Sequence, residues 1–194
     1  YNKNKKKLIE GKVYDPSLEH EACGVGFIAT TNGLKSREVV EHGIKALKAV
    51  WHRGAVDADG KSGDGAGIKL EISPDFFKDK INKTGHTHDD TKRICVGMVF
   101  MPRNDYAKQE KCRSIIETIL LNKDYYIYGW RQVPVNPKVL GTTAETNRPE
   151  IAQVLFRKNT DIKTNALERD LFEARKKIEK IARENQLNEL YLCS

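Results

Sequence analysis

The sequence predicts an α+β fold, with antiparallel strand pairs and helices layered outside them. Three observations carry that prediction. Strand-like and helix-like segments follow the order β, α, β-β, α, β-β, α, β, so strands fall in neighbouring pairs and are not each followed by a crossover helix. A chain of 194 residues, 39% hydrophobic and 31% charged, has the size and composition of one globular domain or a large piece of one. No internal repeat or low-complexity linker divides it.

The elements follow in order. Residues 1–22 read as an extended leader with "DPS" as a turn signal. "CGVGFIAT" (23–30) has the apolar character of a strand, loosened by Gly24 and Gly26. Ser36 is the expected N-cap of a helix whose apolar face carries Val40, Ile44, Leu47 and Trp51. The loop "HRGAVDADGKSGDGAG" comes next. "IKLEI" (68–72) alternates with period two, as a half-buried strand does, and Pro74 stops it. "RICVGMVFMP" (93–102) reads as a more deeply buried strand. Cys112, Ile115, Ile116, Ile119 and Leu120 mark a helix. "YYIYGWRQVPV" and "EIAQVLF" are strands separated by a loop containing Pro137 and Gly141. Asn165 and Glu168 stand at capping-box spacing ahead of Leu167, Leu171, Ala174, Ile178 and Ile181, the clearest helical pattern in the chain. "LYLCS" begins another strand, and a domain stopping there is expected to be truncated.

Charge and cysteine usage exclude several classes. The net charge of +7 is scattered, and acidic residues break up nearly every basic cluster after residue 8. That pattern fits a solvated surface and not a nucleic-acid footprint. No run approaches the ~18 apolar residues of a membrane helix, and the leader lacks the apolar stretch of a secretory signal. Cys23, Cys95, Cys112 and Cys193 show no zinc-like spacing, and "HTH" at 86–88 lies in a polar loop, so no metal site is expected. Cys95, Cys112 and Cys193 read as small buried hydrophobes in a reducing compartment.

Two glycine-rich stretches invite a phosphate reading and fail it. "GDGAG" (63–67) lacks the following Lys-Ser/Thr pair and leads into a strand-like run, not a helix. "CGVGFI" fails the dinucleotide pattern for the same reason. Cys23 is the candidate nucleophile. Within the chain it has only a thiol of reference pKa ~8.5 and needs an external base. Cleavage between Ala22 and Cys23 would add an α-amine of reference pKa ~7.7–8.0 beside the sulfur, so one residue would supply nucleophile and base. Composition by itself leaves a buried structural cysteine open.

The string "ACGVGFIA", then "HRGAVDADGKSGDGAGI", then "GWRQVPVNPKVLG" and "RPEIAQVLF", resembles the glutaminase domain of the glutamate synthase large subunit. The likeness runs in order from about Glu19 to the end. "HRG" occurs broadly among class II glutamine amidotransferases; the longer strings point to glutamate synthase. Ser62 stands where the family usually has threonine, which keeps the hydroxyl.

The resemblance implies a four-layer αββα sandwich of two antiparallel sheets, of the amino-terminal nucleophile hydrolase type. Residues 1–22 would be a propeptide, and 23–194 the N-terminal part of the amidotransferase domain. Cys23 would attack the side-chain amide of L-glutamine and form a thioester, and the released ammonia would aminate 2-oxoglutarate at a second site. FMN and an iron–sulfur cluster would serve that second site, outside this segment, with the remaining glutamate synthase domains and an electron-donor subunit or domain as partners. His52 and Arg53, in the family's "HRG" turn, are expected to support the pocket wall by hydrogen bonds. Asp64 has either a similar role or that of a turn-forming aspartate, while Trp130 and Arg131 read as a strand end and a turn anchor. The family's later "SRFST"-type arginine and "NGE"-type oxyanion segment have no counterpart here. Loss of one oxyanion donor costs ~10²–10³ in rate, so the segment by itself is expected to be nearly inactive. The location expected is cytoplasmic, or plastid in a eukaryote. The competing readings are another class II amidotransferase, such as one making a phosphosugar amine, and a non-catalytic regulatory or interaction module of the same fold.

Overall fold

The computed structural model describes residues 10, 24–50 and 54–193. The chain divides into two compact units, residues 1–54 and 55–194. In the first, helix α1 spans Arg37–Ala49 and begins where expected: Ser36 Oγ accepts the Glu38 N–H at 3.1 Å. Val40, Ile44 and Leu47 are half-buried, together with Val39 and Gly43, and Trp51 lies outside the described residues. The expected strand at 23–30 does not form within 24–30, and Val25 and Phe27 are 95% and 94% exposed. A strand exists only by pairing, and this segment has no partner strand among the described residues.

The second unit holds one four-stranded antiparallel sheet and the helices around it. Its elements are α2 (Pro74–Asn82), β1 (Cys95–Met101), α3 (Tyr106–Asn122), β2 (Tyr125–Gln132), a 3-10 turn (Pro137–Val139), α4 (Thr142–Thr146), β3 (Glu150–Lys158), α5 (Thr164–Glu184) and β4 (Tyr191–Cys193). The strand order is β2-β3-β1-β4. All pairings are antiparallel, with Gly97 opposite Val154, Phe100 opposite Tyr191 and Tyr125 opposite Lys158.

Alternation sorts the strands onto two faces. One face carries Cys95, Val99, Met101, Ala152, Val154, Phe156 and Leu192, packed against Cys112, Ile116 and Ile119 of α3 and Leu167, Ala174 and Ile178 of α5. Alternation places Tyr128 on the other face, where it joins Ile81, Ile94 and Leu155 beneath α2, and a β-bulge between Ile127 and Gly129 resets the alternation after it. Gly129 has φ 135 and Thr84 only 3.4 Å from where a Cβ would stand, so this corner requires glycine. The His88 ring closes the cluster. Its Nε2 donates to the Lys92 carbonyl at 3.1 Å, leaving Nδ1 to accept the Tyr128 hydroxyl at 2.8 Å. Beyond the bulge, Trp130 returns to the helical side and donates to Glu117 at 2.6 Å. Arg131 faces the other way and donates to Gln153 at 2.7 Å.

A polar knot pins α5 to the sheet. The Asp170 carboxylate accepts Lys123 Nζ at 2.6 Å, the Tyr125 hydroxyl at 2.7 Å and Lys158 Nζ at 3.0 Å. Burial opposes the charge on Asp170, but these three donors outweigh it and hold the carboxyl near 2.

Four sequence expectations are corrected. Residues 68–72 are not a strand among the described elements, and the following "SPDFF" starts α2, with Ser73 at the N-cap position and Pro74 in the first turn. The loop between β2 and β3 contains α4. Helix α5 begins at Thr164 after Lys163, so Asn165 lies inside it and the capping box does not form. Cys193 is exposed, unlike Cys95 and Cys112, because pairing Leu192 with core Val99 turns Cys193 to the opposite face.

Candidate active site

The glycine-rich loop that begins at "HRG" is the candidate site, and its described part starts at Gly54. Residues 55–64 fold back on themselves. Val56 and Gly63 form an isolated antiparallel bridge, and Asp57 N–H donates to the Ser62 carbonyl at 2.8 Å. The Asp64 carboxylate accepts the Ala55 N–H at 2.7 Å and ties the two ends of the loop together. Asp64 thus closes the loop, and that hydrogen bond is its contact with the residues next to the "HRG" turn.

Asp59 is the centre of the loop. Its Oδ1 accepts the N–H groups of Lys61 at 2.9 Å and Ser62 at 2.7 Å, an Asx-type turn. Its Oδ2 accepts the Ser62 hydroxyl at 2.6 Å, the Thr143 N–H at 3.1 Å and the Thr142 hydroxyl at 3.3 Å. The Ser62 hydroxyl in turn accepts the Ala144 N–H at 2.9 Å. The amides at the start of α4 are therefore capped from a loop some eighty residues away. The Ser62 hydroxyl, then the Ser62 and Lys61 amides, hold the Asp59 carboxyl well below the usual carboxylate range.

Helix α4 is gripped at its other end too. Glu145 accepts Arg103 Nη1 at 2.5 Å and Arg148 Nε at 2.9 Å, and both lower its carboxyl, Arg148 more than Arg103. Beside this junction lies an open depression of about 520 Å³, lined by Asp57, Asp64, Thr143, Ala144 and Asn147 among others. No lysine or arginine is among the described residues that line it.

The sequence-predicted residues are distributed unevenly. Ala22, Cys23, His52 and Arg53 lie outside the described residues, as do residues 1–9 and 11–22 of the leader. Asp64 is placed as above. The sequence marks neither Asp59 nor Gly141 as a site residue, and Ser62 only as a replacement for threonine. The D-x-x-S spacing is a legible turn signal, but nothing local announces its partner at 141–144.

Among the described residues no group of three or more His, Cys, Asp or Glu side chains is placed to hold a metal ion. No described helix is long and apolar enough to cross a membrane.

The family model for class II glutamine amidotransferases matches residues 23–194. The chain belongs to the class II glutamine amidotransferases. Within that family, the amidotransferase domain is similar to the glutamate synthases. It is 50% identical over 194 residues to the large chain of the NADPH glutamate synthase of Azospirillum brasilense. It is 39% identical over 179 residues to the ferredoxin-dependent glutamate synthase of Pyropia yezoensis. It is 38% identical over 177 residues to ferredoxin-dependent glutamate synthase 1, chloroplastic/mitochondrial, of Arabidopsis thaliana. These alignments cover 100%, 91% and 91% of the chain, but only 13%, 11% and 11% of the relatives. The loop of residues 55–64 and α4 thus belong to an amidotransferase domain, and "SGDGAG" and "VLG" meet where Ser62 approaches Gly141.

Proposed function

We propose that this amidotransferase domain is the glutamine-hydrolysing part of a longer glutamate synthase, with Cys23 as its nucleophile. The observation that carries the reading is the family match, which opens at Cys23 and includes none of residues 1–22. The leader is a propeptide in this reading, and the Azospirillum relative has a counterpart to it, since that alignment spans the whole chain.

After cleavage at Ala22–Cys23, the α-amine takes the thiol proton as the sulfur attacks the side-chain amide carbon of L-glutamine. The C–N bond breaks, ammonia leaves with that proton, and a thioester remains. Water then cleaves the thioester and releases glutamate and free Cys23. His52 and Arg53 support the pocket wall, and Asp64 holds the loop that follows them. The ammonia aminates 2-oxoglutarate elsewhere in the longer protein, where FMN and an iron–sulfur cluster supply electrons from a donor subunit or domain. No step here runs through either group. Residues 1–194 alone are nearly inactive in this account, because neither the carboxylate-binding arginine segment nor the Asn–Gly oxyanion segment is among them. The longer protein works in the cytoplasm, or in the plastid of a eukaryote.

The four-layer sandwich belongs to the same proposal. One face of the observed sheet carries half-buried Met98, Phe100 and Ile151 with exposed Tyr191, while Ile68 and Leu70 lie exposed in the 68–72 segment. A second sheet over that face would bury both sets.

The test is ammonia release from L-glutamine by the full-length protein. Cys23→Ala should abolish it, and unchanged release would reject the mechanism. The non-catalytic reading predicts no release from the wild type.

A further inference from the structure

We propose that α4 is a conditional helix: it is ordered only while the loop of residues 55–64 is docked on its first turn, and undocking dissolves one wall of the depression beside them. Both segments lie in the unit of residues 55–194. The inference goes beyond the glutaminase reading and does not rest on it.

Helix α4 has little to hold it together by itself. It has five residues, Thr142–Thr146. A first helical turn fixes several dihedrals for one hydrogen bond, and isolated helices shorter than about 12 residues are marginal in water. Its sequence, "TTAET", is rich in threonine, whose branched side chain is stiff and a weak helix former. None of its residues is buried, so no apolar stripe anchors it to the sheet. Gly141, at the N-cap position, has no side chain to offer the open amides.

The loop supplies what the helix lacks. The Thr143 amide donates to Asp59 Oδ2 and the Ala144 amide to Ser62 Oγ, and the Thr142 hydroxyl also reaches Asp59 Oδ2. These amides precede the first intrahelical bond, from Glu145 N–H to the Gly141 carbonyl, so nothing inside the helix can satisfy them. Gly141 permits the approach. A Cβ there would stand 2.5 Å from Ser62 Oγ and 2.6 Å from Ser62 N. Its φ of −77 is open to any residue, so glycine serves the contact and not the backbone.

The dependence runs one way. The loop keeps hydrogen bonds of its own: the Lys61 and Ser62 amides and the Ser62 hydroxyl to Asp59, and the Asp57 amide to the Ser62 carbonyl. The helix keeps Arg103 on Glu145, but Glu145 is 39% exposed, and an ion pair so open to water fixes one side chain without satisfying a helix amide. Undocked, α4 is a strap tethered at Glu145. The depression of about 520 Å³ has Ala55, Asp57 and Asp64 on one side and Thr143, Ala144 and Asn147 on the other, so the docked state alone holds both walls in place. A ligand touching both walls would therefore shift the equilibrium toward docking.

Hydrogen–deuterium exchange of the full-length protein, mapped by peptide mass, reads the order of α4 without reference to activity. The wild type is compared with Ser62→Ala, Ser62→Thr and Gly141→Ala. Residues 142–147 should be protected in the wild type and exchange at least tenfold faster in Ser62→Ala, while β1 and β3 stay within twofold. Gly141→Ala keeps every hydrogen-bonding group but blocks the approach, so it should speed exchange at 142–147 equally and leave 57–63 within threefold. Ser62→Thr should stay within threefold throughout, because it keeps the hydroxyl. An unprotected 142–147 in the wild type, or Ser62→Ala within twofold of wild type there, overturns the proposal. Faster exchange spread over β1 and β3 also overturns it, since the loop would then support the whole unit and not α4. Equal acceleration in Ser62→Ala and Ser62→Thr does the same, because contact and not the hydroxyl would then matter. Loss of protection at 57–63 alongside 142–147 in Gly141→Ala refutes the one-way dependence. Should Gly141→Ala fail to fold, Ser62→Ala, which removes a single oxygen, decides.

Discussion

Replacing Asp170 with asparagine should destabilise the sheet–helix unit and remove part of its acid sensitivity. In the native protein the carboxylate takes three donors, two of them ammonium groups, and its side chain is 20% exposed. The carboxyl falls from 3.8 to about 2, and at about 1.36 kcal/mol per pKa unit that gap corresponds to roughly 2 kcal/mol of folding stability. The sign follows from the lowered native value. The contribution is complete above the unfolded value of 3.8, declines as pH falls below it, and is gone once pH has passed through about 2. Asp170→Asn keeps the shape but leaves Lys123 and Lys158 without their shared counter-charge, so the loss at pH 7 should be about 2–3 kcal/mol. Equilibrium urea unfolding of residues 1–194, followed by far-ultraviolet circular dichroism between pH 7 and pH 2, measures both effects. The wild-type midpoint should fall steeply below pH 4, and the variant should start lower and fall less. A variant within 0.5 kcal/mol of wild type at pH 7, or one with an unchanged acid limb, would refute the reasoning.

Three further predictions use the same chain. Gln186→Gly should raise stability by about 1 kcal/mol in urea unfolding, because Gln186 sits at φ 58 just past α5, where only glycine is free of strain. Ile81→Ala should cost about 2–5 kcal/mol by the same measurement, since the side chain is fully buried between α2 and the sheet. Maleimide labelling of the native chain at pH 7.5, mapped by mass, should modify Cys193 readily and Cys95 only after unfolding. Burial pushes the Cys95 thiol up to about 12, so neither access nor thiolate favours reaction there.

What could be read from residues alone depended on how local the signal was. The apolar spacing of Cys112, Ile116 and Ile119 and of Leu167, Ala174 and Ile178 marks α3 and α5 because each helix buries one stripe on the same sheet face. The alternation in "IKLEI" is as good a strand pattern as any in the chain. A pattern cannot supply the neighbour that a strand needs, and residues 68–72 are not assigned to a strand. Pro74 is a two-sided signal: it ends an extended run, and after Ser73 and before Asp75 it also opens a helix. The end of α5 carries no glycine. Gln186 adopts the left-handed turn itself, with Leu187 N–H donating to the Ala182 carbonyl at 2.9 Å and Gln186 N–H to Arg183 at 3.0 Å.

The candidate site divides along the same line. The turn signals in "DADGKSGDG" are local and legible, and they set the hairpin of 55–64. The partner of that hairpin is not, because Asp59 and Ser62 act on amides at 143 and 144. The same holds for Gly141, a glycine whose reason is a serine on another loop.

The central claim is that Cys23 is the nucleophile and, in the mature protein, the first residue. Intact-mass and peptide mapping of active full-length protein, before and after inactivation by 6-diazo-5-oxo-L-norleucine, tests it most directly. The account predicts a mature chain that begins at Cys23 and carries one adduct on that residue, in step with the loss of ammonia release. Fully active protein that retains Tyr1, or inactivation with the adduct on any other residue, would contradict it.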